Sequence, residues 1–528
     1  MAITKVTGGL LGNLAVGTGN VALGDSAGQS IQSGGNENTF IGDGAGASVT
    51  TGIRNVLIGY LAGDALTDAS ENIAIGKSAL SLDTLGTRTT AIGKSALSNQ
   101  NFTSSTQTYN VALGYEAGKA VTTGVNNTLI GGLAGDAITT ANSNTAVGQA
   151  ALTASTTGAN NVSIGYQSLY DNTTGFSNTA VGYRALANNT TADNNTAVGN
   201  DALISNTTGT RNTALGTFAM QAQTAGYDNT AIGYGAMYNA NNAALVVRNT
   251  AVGNGALYST TGDDTTAIGY NALTAQTSGR RNVAVGINSG YATTTGADNT
   301  FLGRNAGYSN TTANNNTVVG KDALFANTTG AGNTTIGTNA GKDITTGNNN
   351  FCIGYGAGTN SGPGGAPGGG ITTGSNIGTI GNGDTTTINT QVSLSVASDE
   401  RDKTDFQPLS AGLDFVNELT PYTYYWDKRA KYVDWDTNPN TDLNTVEHDG
   451  THKEDWLDLG FKAQDVVALE ESINHKISNK TNLVTSLSGD GKQYALQYEK
   501  FVPILVKALQ EADAKIEELT TRIEALES

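Results

Sequence analysis

Residues 178–199 read NTAVGYRALANNTTADNNTAVG, so the stretch that opens at Asn178 begins again at Asn195. Working outward in both directions, a glycine preceded by Ile, Val or Leu recurs twenty times, from Gly24 through Gly182 and Gly199 to Gly354. Fifteen of the nineteen intervals are 17 residues; the others are 18 after Gly24, 21 after Gly93, 20 after Gly233 and 16 after Gly253. A fixed period of this length, repeated this often, is the signature of a solenoid. Each copy has room for two short strands and a turn. The residue before the glycine (Ile58, Val147, Val252, Ile353) is expected to point into the coil, because it is uniformly apolar. Three after the glycine stands Ala in eighteen copies and Ser in two (Ser168, Ser289), a position with space for little more than a methyl group. Glycine allows positive φ at the corner, and TTG turns at Gly158, Gly175, Gly209 and Gly330 supply the second bend. Four before the glycine stands Asn in eighteen copies, with Thr89 and Thr265 in the other two. Stacked at one strand spacing, these amides form a ladder in which each can donate to the next. Twenty coils at that spacing give a rod of about 90 Å.

The chain has 528 residues and a net charge of −17, unevenly spread. Up to residue 397 it carries 14 Lys and Arg and 19 Asp and Glu, and beyond that point 14 and 26. All three tryptophans (Trp426, Trp435, Trp456) and all three histidines lie in the last part, and no proline precedes Pro363. Neither part has the clustered Lys and Arg that a nucleic-acid partner needs. Cys352 stands alone, which excludes an internal disulfide, and no thiol or zinc spacing is present. The first residues lack the apolar run of a secretory signal, and no stretch is long enough to span a bilayer. No cofactor, no metal and no membrane insertion are expected.

In its Asn-x-Ala-Ile/Val-Gly signature, the repeat over residues 17–358 resembles the left-handed parallel β-roll heads of trimeric autotransporter adhesins, and also repeats of bacteriophage fibre proteins. The resemblance implies a homotrimer. A coil of 17 residues encloses little core, and the small residue two before the glycine (Ala22, Ala74, Ala146, Ala180, Ala231) offers a flat stripe for subunit packing. After Gly354 the repeat gives way to GAGTNSGPGGAPGGG at 356–370, read as the end of the rod and part of a linker over 359–397. A β-prone lead-in, TTTINTQVSLSVA, follows at 385–397.

Four segments in order, SDERDKTDF (398–406), LDFVNELTPYTYYWD (413–427), LGFKAQDV (459–466) and YALQYEKFVPILVKALQE (494–511), resemble the intramolecular chaperone of phage endosialidases, tail fibres and neck appendages. That family is classed as self-cleaving. The resemblance implies an α+β chaperone domain over 398–528, a cut between Ala397 and Ser398, Ser398 as nucleophile, Lys403 as its base, and Asp399 and Arg401 as supports of the loop. A serine needs such a base, and a lysine serves only when desolvation lowers its pKa. His448 and His452, four apart beside Asp449, Glu454 and Asp455, suit a solvated loop better than a metal site. Val502, Leu505, Leu509, Ala512, Ile516, Leu519, Ile523 and Leu526 fall on heptad steps, which predicts a coiled-coil helix that sets the register of three chains.

The sum is a mainly β chain: a trimeric left-handed parallel β-roll solenoid of about twenty coils, then an α+β chaperone ending in a coiled coil. Its expected role is a virion fibre, assembled in a host cytoplasm. Residues 1–16 are expected to attach it to a tail or baseplate protein, and the rod to bind a host-surface glycan or receptor. Candidate contacts are the overlong coils at Asn99–Tyr109 and Asn239–Arg248 and the tyrosines directly after the glycine (Tyr60, Tyr115, Tyr166, Tyr183, Tyr234, Tyr270, Tyr355), which can stack on sugars or pack between coils. A bacterial surface adhesin is the alternative, but it would need a secretion signal and a barrel anchor. A depolymerase would need paired carboxylates in a groove, and the rod's acids are scattered. Self-cleavage is the only chemistry expected.

Overall fold

The computed structural model describes residues 17–240, 246–359, 371–381, 403–433, 445–487 and 494–528, the side chain of Ala430 apart. They fall into two compact units, 1–313 and 314–528.

In the first unit each coil contributes one three-residue strand, from Val21–Leu23 to Thr300–Leu302. Successive strands pair in parallel and in register, as in Thr179↔Thr196, Ala180↔Ala197 and Val181↔Val198. The second strand expected per coil is seen among the described residues of this unit only where Gly86–Thr87 pairs with Thr106–Gln107 at an overlong coil. Elsewhere the remaining walls alternate right- and left-handed backbone: Arg184, Leu186 and Asn194 have φ of 51°, 54° and 59°, which breaks extended pairing. Coil-to-coil hydrogen bonds continue through these walls nonetheless, as from Leu186 N–H to the Ala202 carbonyl (3.0 Å) and Thr156 N–H to the Thr173 carbonyl (2.9 Å). At the corner, a Cβ on Gly182 would strike the carbonyl of Gly199 in the coil above.

The asparagine column is present, with a geometry of its own. Asn195 donates its side-chain amide to the Gly209 carbonyl at 2.8 Å, closing its own coil. Its carboxamide oxygen accepts the backbone N–H of Asn212 in the next coil at 3.0 Å. Direct amide-to-amide contact, as from Asn195 to Asn178 at 3.3 Å, is the longer and secondary link. Where Thr replaces Asn, a buried glutamine bridges the gap. Gln100 donates to Thr89 Oγ1 (3.0 Å) and accepts from Asn110 (2.8 Å); Gln276 does the same between Thr265 (3.2 Å) and Asn282 (2.9 Å).

The inward face differs from the sequence expectation. Ala74, Ala146, Ala180 and Ala231, two before the glycine, have no exposed surface and Ala22 very little, so they fill the coil rather than forming an outer stripe. The apolar residue directly before the glycine points outward: Leu113, Ile164, Leu215, Ile268 and Leu302 are 38–46% exposed. The alternation of a strand decides it, since neighbouring side chains must take opposite faces, and the core has room only for the partner of the invariant inner alanine. Most coils bury one or two large side chains. With Ala180 the filler is Leu186; where Phe40 or Phe301 occupies the strand position, Gly46 or Gly307 replaces that leucine, and a Cβ there would collide with the Phe ring. Leu57 with Gly63 and Leu129 with Gly135 make the same exchange.

Outside, the residue five before the glycine is charged in ten of the twenty copies, in two blocks (37–88 and 211–298) within which the sign alternates. Arg54 lies between Glu37 (2.8 Å) and Glu71 (3.6 Å), and Arg88 binds Glu71 at 2.8 Å. Arg211–Asp228, Arg248–Asp264 and Arg281–Asp298 pair at 2.6 Å each. Hydrogen bonds from these arginines hold the three aspartates below their usual pKa.

In the second unit the strands Thr317–Val319, Thr334–Ile336, Phe351–Ile353 and Gly378–Ile380 pair in parallel. The last of them corrects the expectation that the solenoid stops at Gly354. Residues 371–381 form a further coil, in which Asn350 Oδ1 accepts the Ile377 N–H (3.0 Å) and its amide reaches the Gly374 carbonyl (2.8 Å). The glycine-rich stretch therefore interrupts the repeat rather than ending it. The remainder is α+β: α1 (Leu413–Glu418), strand Tyr422–Tyr424 antiparallel to Asp458–Gly460, α2 (Ala463–Ser472), strand Thr485–Leu487 antiparallel to Tyr494–Leu496, and α3 (Phe501–Glu527). Its core gathers Ala411, Phe415, Val466, Val484, Phe501 and Ile504.

The exchange of core volume is testable. Ala180→Phe alone should destabilise the solenoid by about 1–3 kcal/mol through overpacking, and Leu186→Gly alone by about 2–5 kcal/mol through the cavity. The double variant should recover most of the loss in urea unfolding. Additive losses would refute the exchange.

Candidate functional site

The expected cleavage residues fall at the start of the carboxy-terminal domain. Ala397, Ser398, Asp399 and Arg401 lie outside the described residues, so their geometry with Lys403 is not on view. Lys403 is exposed and begins a segment without regular secondary structure that runs to Ser410.

The end of that segment is fastened firmly. Lys507 of α3 donates to the Leu409 carbonyl, and Leu413 N–H, at the start of α1, donates to Glu511 Oε2 at 2.6 Å. Lys507 and Glu511 are themselves paired at 3.3 Å, so one turn of α3 clamps both sides of Gly412, where a Cβ would strike the Glu511 carboxylate. The bond from Leu413, helped by Lys507, holds the Glu511 carboxyl below its usual pKa.

A second tie joins Ser410 Oγ to His475 Nε2 at 2.8 Å. His475 Nδ1 faces the Thr481 carbonyl at 2.7 Å, and a carbonyl can only accept, so Nδ1 donates that bond; in the tautomer this sets, Nε2 is the nitrogen left to accept from the serine. This is a serine with a base in reach, but the third partner is a carbonyl, not a carboxylate. Ser410 is exposed and His475 half-buried, and the evident effect of the bond is to join the opening segment to the loop after α2. Nothing in the spacing of Ser410 and His475, 65 residues apart, marks the pair in the sequence.

Beneath it lies a buried acid. Glu470 of α2 accepts the backbone N–H groups of Leu483 (3.0 Å), Val484 (2.5 Å) and Thr485 (3.2 Å) on one oxygen, and the Thr485 hydroxyl on the other. Three converging N–H donors stand in for a counter-ion, so a carboxylate can be buried here without a Lys or Arg.

His448 and His452 do not converge on a shared ligand. Both set their rings edge-on to Tyr432, with centroids 6.0 and 4.7 Å away, and the Tyr432 hydroxyl accepts from Gly450 and His452 N–H while donating to Asp427. Among the described residues no group of three or more His, Cys, Asp or Glu could hold a metal ion.

Along α3, Phe501, Ile504 and Ala508 face the core, whereas Val502, Leu505, Leu509, Ile516, Leu519, Ile523 and Leu526 are all exposed. The helix thus carries two apolar stripes, one covered and one open. No helix among the described residues is long and apolar enough to cross a membrane.

Residues 398–473 match the family model described as chaperone of endosialidase. That span contains the first three of the four motifs, from SDERDKTDF to LGFKAQDV, and ends before the fourth. No curated protein and no solved structure matches the chain.

Two consequences follow from the ties. Glu470→Ala strands three buried donors and should cost about 3 kcal/mol or more in urea unfolding of the carboxy-terminal domain, with Glu470→Gln milder; no change would mean that the three N–H groups find water. Because the Glu511 carboxyl is depressed in the folded state, its stabilisation is complete above the ordinary glutamate value, about 4.3, and is lost as pH falls through the folded value. Protection of the first amides of α1 from hydrogen exchange, taken relative to the intrinsic rate at each pH, should therefore fall below about pH 4, and Glu511→Gln should remove that dependence.

Proposed function

We propose that this chain is a virion fibre of the tail-fibre type, which binds a host surface and whose carboxy-terminal domain brings three chains into register and then cuts itself free between Ala397 and Ser398. The observation that carries the reading is the union of two parts: a β-solenoid of nearly identical coils, and a segment matched as chaperone of endosialidase. Such a union fits a tail-fibre-like protein. The physics supports it from both ends. Coils whose pairing residues are alike can stack one step out of register at little cost, so correct assembly needs a start point supplied from elsewhere. The open stripe of α3 has the heptad spacing of a helix that seats against copies of itself. The outward row of Ile, Val and Leu before each glycine offers a second apolar strip for the same association.

In this reading the Ser398 hydroxyl attacks the Ala397 carbonyl while Lys403 takes its proton, the Ala397–Ser398 C–N bond breaks as that proton passes to the Ser398 nitrogen, and water hydrolyses the resulting ester; Asp399 and Arg401 hold the loop. Lys403 is exposed in the single chain, and a lysine serves as a general base only in a desolvated setting. The base would therefore become active only when neighbouring chains cover it, which couples the cut to completed assembly. Residues 1–16 would attach the fibre to the virion.

Mass spectrometry tests the cut: a fragment beginning at Ser398 is expected once the chain has assembled, and should vanish in Ser398→Ala and Lys403→Ala. An intact assembled chain would leave the domain as a chaperone that stays attached. Analytical ultracentrifugation tests the assembly. Three chains per particle are expected, and Leu509→Lys with Leu519→Lys should give misassembled or monomeric material; a wild-type monomer would overturn the reading.

A further inference from the structure

The repeat places a side chain two residues after each corner glycine, on the outer wall. Before one point in the first unit these are Arg184, Asp201 and Phe218; after it they are Asn271, Asn288 and Asn305. Between them two successive coils have glycine, Gly235 and Gly255. The missing side chains open a notch of about 250 Å³, lined by Tyr234, Gly235, Asn254, Gly255, Tyr258, Asn271 and Thr274. Behind it the aromatic rings form a set: Tyr258 stacks on Tyr238 at 5.0 Å, and Phe218 meets Tyr238 and Tyr234 edge-on at 6.2 and 5.8 Å. Tyr234 is 56% exposed at the notch's side.

We propose that this notch binds one sugar unit of a neutral host-surface saccharide, a proposal that rests on the reading of the chain as a surface-binding fibre. A pyranose has two flat C–H faces and a rim of hydroxyls that both donate and accept. Tyrosine rings supply flat apolar walls with a polar tip, and the carboxamides of Asn254 and Asn271 each supply a donor group and an acceptor, the pairing that neighbouring hydroxyls require. The volume lies just below the range of about 300–1,000 Å³ typical of drug-sized ligands, which suits one ring of a chain lying across the mouth. The lining holds no Lys, Arg or His, so a sialic or uronic acid would find no counter-charge. Burial pushes the Tyr258 phenol above its usual pKa, which keeps it a neutral donor.

The fold itself supplies a clean test. Gly235 and Gly255 have φ of 58° and 63°, and Asn271, Asn288 and Asn305 hold the same repeat position at 53°, 53° and 54°, so asparagine fits that backbone. A Cβ on Gly235 would meet only ordinary contacts, at 3.7 Å and beyond. Gly235→Asn therefore fills the notch without disturbing the coil, and Tyr234→Ala removes one wall. Ile287→Ala is the control, an exposed apolar side chain in the same repeat position and outside the notch lining. The full-length chain and the three variants are measured against immobilised neutral glucose, galactose and N-acetylhexosamine oligosaccharides, with sedimentation mass and circular dichroism alongside. At least one oligosaccharide should bind the wild type and the Ile287→Ala control equally, and Gly235→Asn and Tyr234→Ala should weaken it at least tenfold at unchanged mass. Absence of binding to every oligosaccharide, or binding that Gly235→Asn leaves intact, overturns the proposal. So does a changed particle mass, which would make the notch a contact between copies. Adsorption of the labelled chain to a panel of intact bacterial cells reports separately on adhesion: cell binding that survives Gly235→Asn removes the notch and leaves adhesion standing, whereas a wild type that binds neither cells nor sugars removes both.

Discussion

Each coil closes on a buried carboxamide that must satisfy two directions at once. The asparagine four before the corner glycine donates across its own coil to a carbonyl 14 residues on, and accepts from the backbone N–H of the coil above. A buried amide left half satisfied would cost more than the coil's small core returns, so both distances are constrained together: the girth of the coil by the donor, its height by the acceptor. The constancy of the 17-residue step follows. Where Asn is absent at Thr89 and Thr265, Gln100 and Gln276 reach in from the opposite wall to restore the same connections, which shows that the column, rather than the residue at any one position, is what the fold requires.

With the backbone fixed in this way, the interior needs little else. In most coils one or two large side chains fill the space beside the small inner residue, Ala or Ser, and their location shifts between strand and wall where glycine yields the volume. The cost of so narrow a core is that apolar residues are left outside, in a row before each glycine. The carboxy-terminal domain meets a related shortage differently. Its compact core is small, and it relies on polar ties of long sequence reach: Glu470 to residues 483–485, Lys507 and Glu511 to the two sides of Gly412.

Much of this was legible in the residues. The period, the parallel stacking, the asparagine column and the long terminal helix all follow from spacing alone. The facing of the strand was not: Ala180 and Val181 are both apolar, and the more hydrophobic of the two is the one outside, because the volume enclosed, not the hydropathy, decides which fits. The coil at 371–381 was hidden by the insertion before it and by Ile377 standing where Asn is usual. The tie of Ser410 to His475 joins residues that no motif connects. Of the expected cleavage residues only Lys403 is described, so that part of the site still stands on its motif. The notch was half visible, since Tyr234 was singled out, but its depth comes from two glycines, and glycine in so glycine-rich a chain draws no notice.

The alternating charges five before the corner glycine have a meaning that the asparagine column lacks. Away from Thr89 and Thr265 that column is the same at every level and so cannot tell one level from the next. Charges of opposite sign on adjacent levels can. If a coil were looped out, Glu37 would come to lie on Glu71, or Arg211 on Arg248, like against like; if two were looped out, opposite signs would meet again. The row acts as a parity check written along the surface, silent in the native stack and sensitive to odd errors in counting.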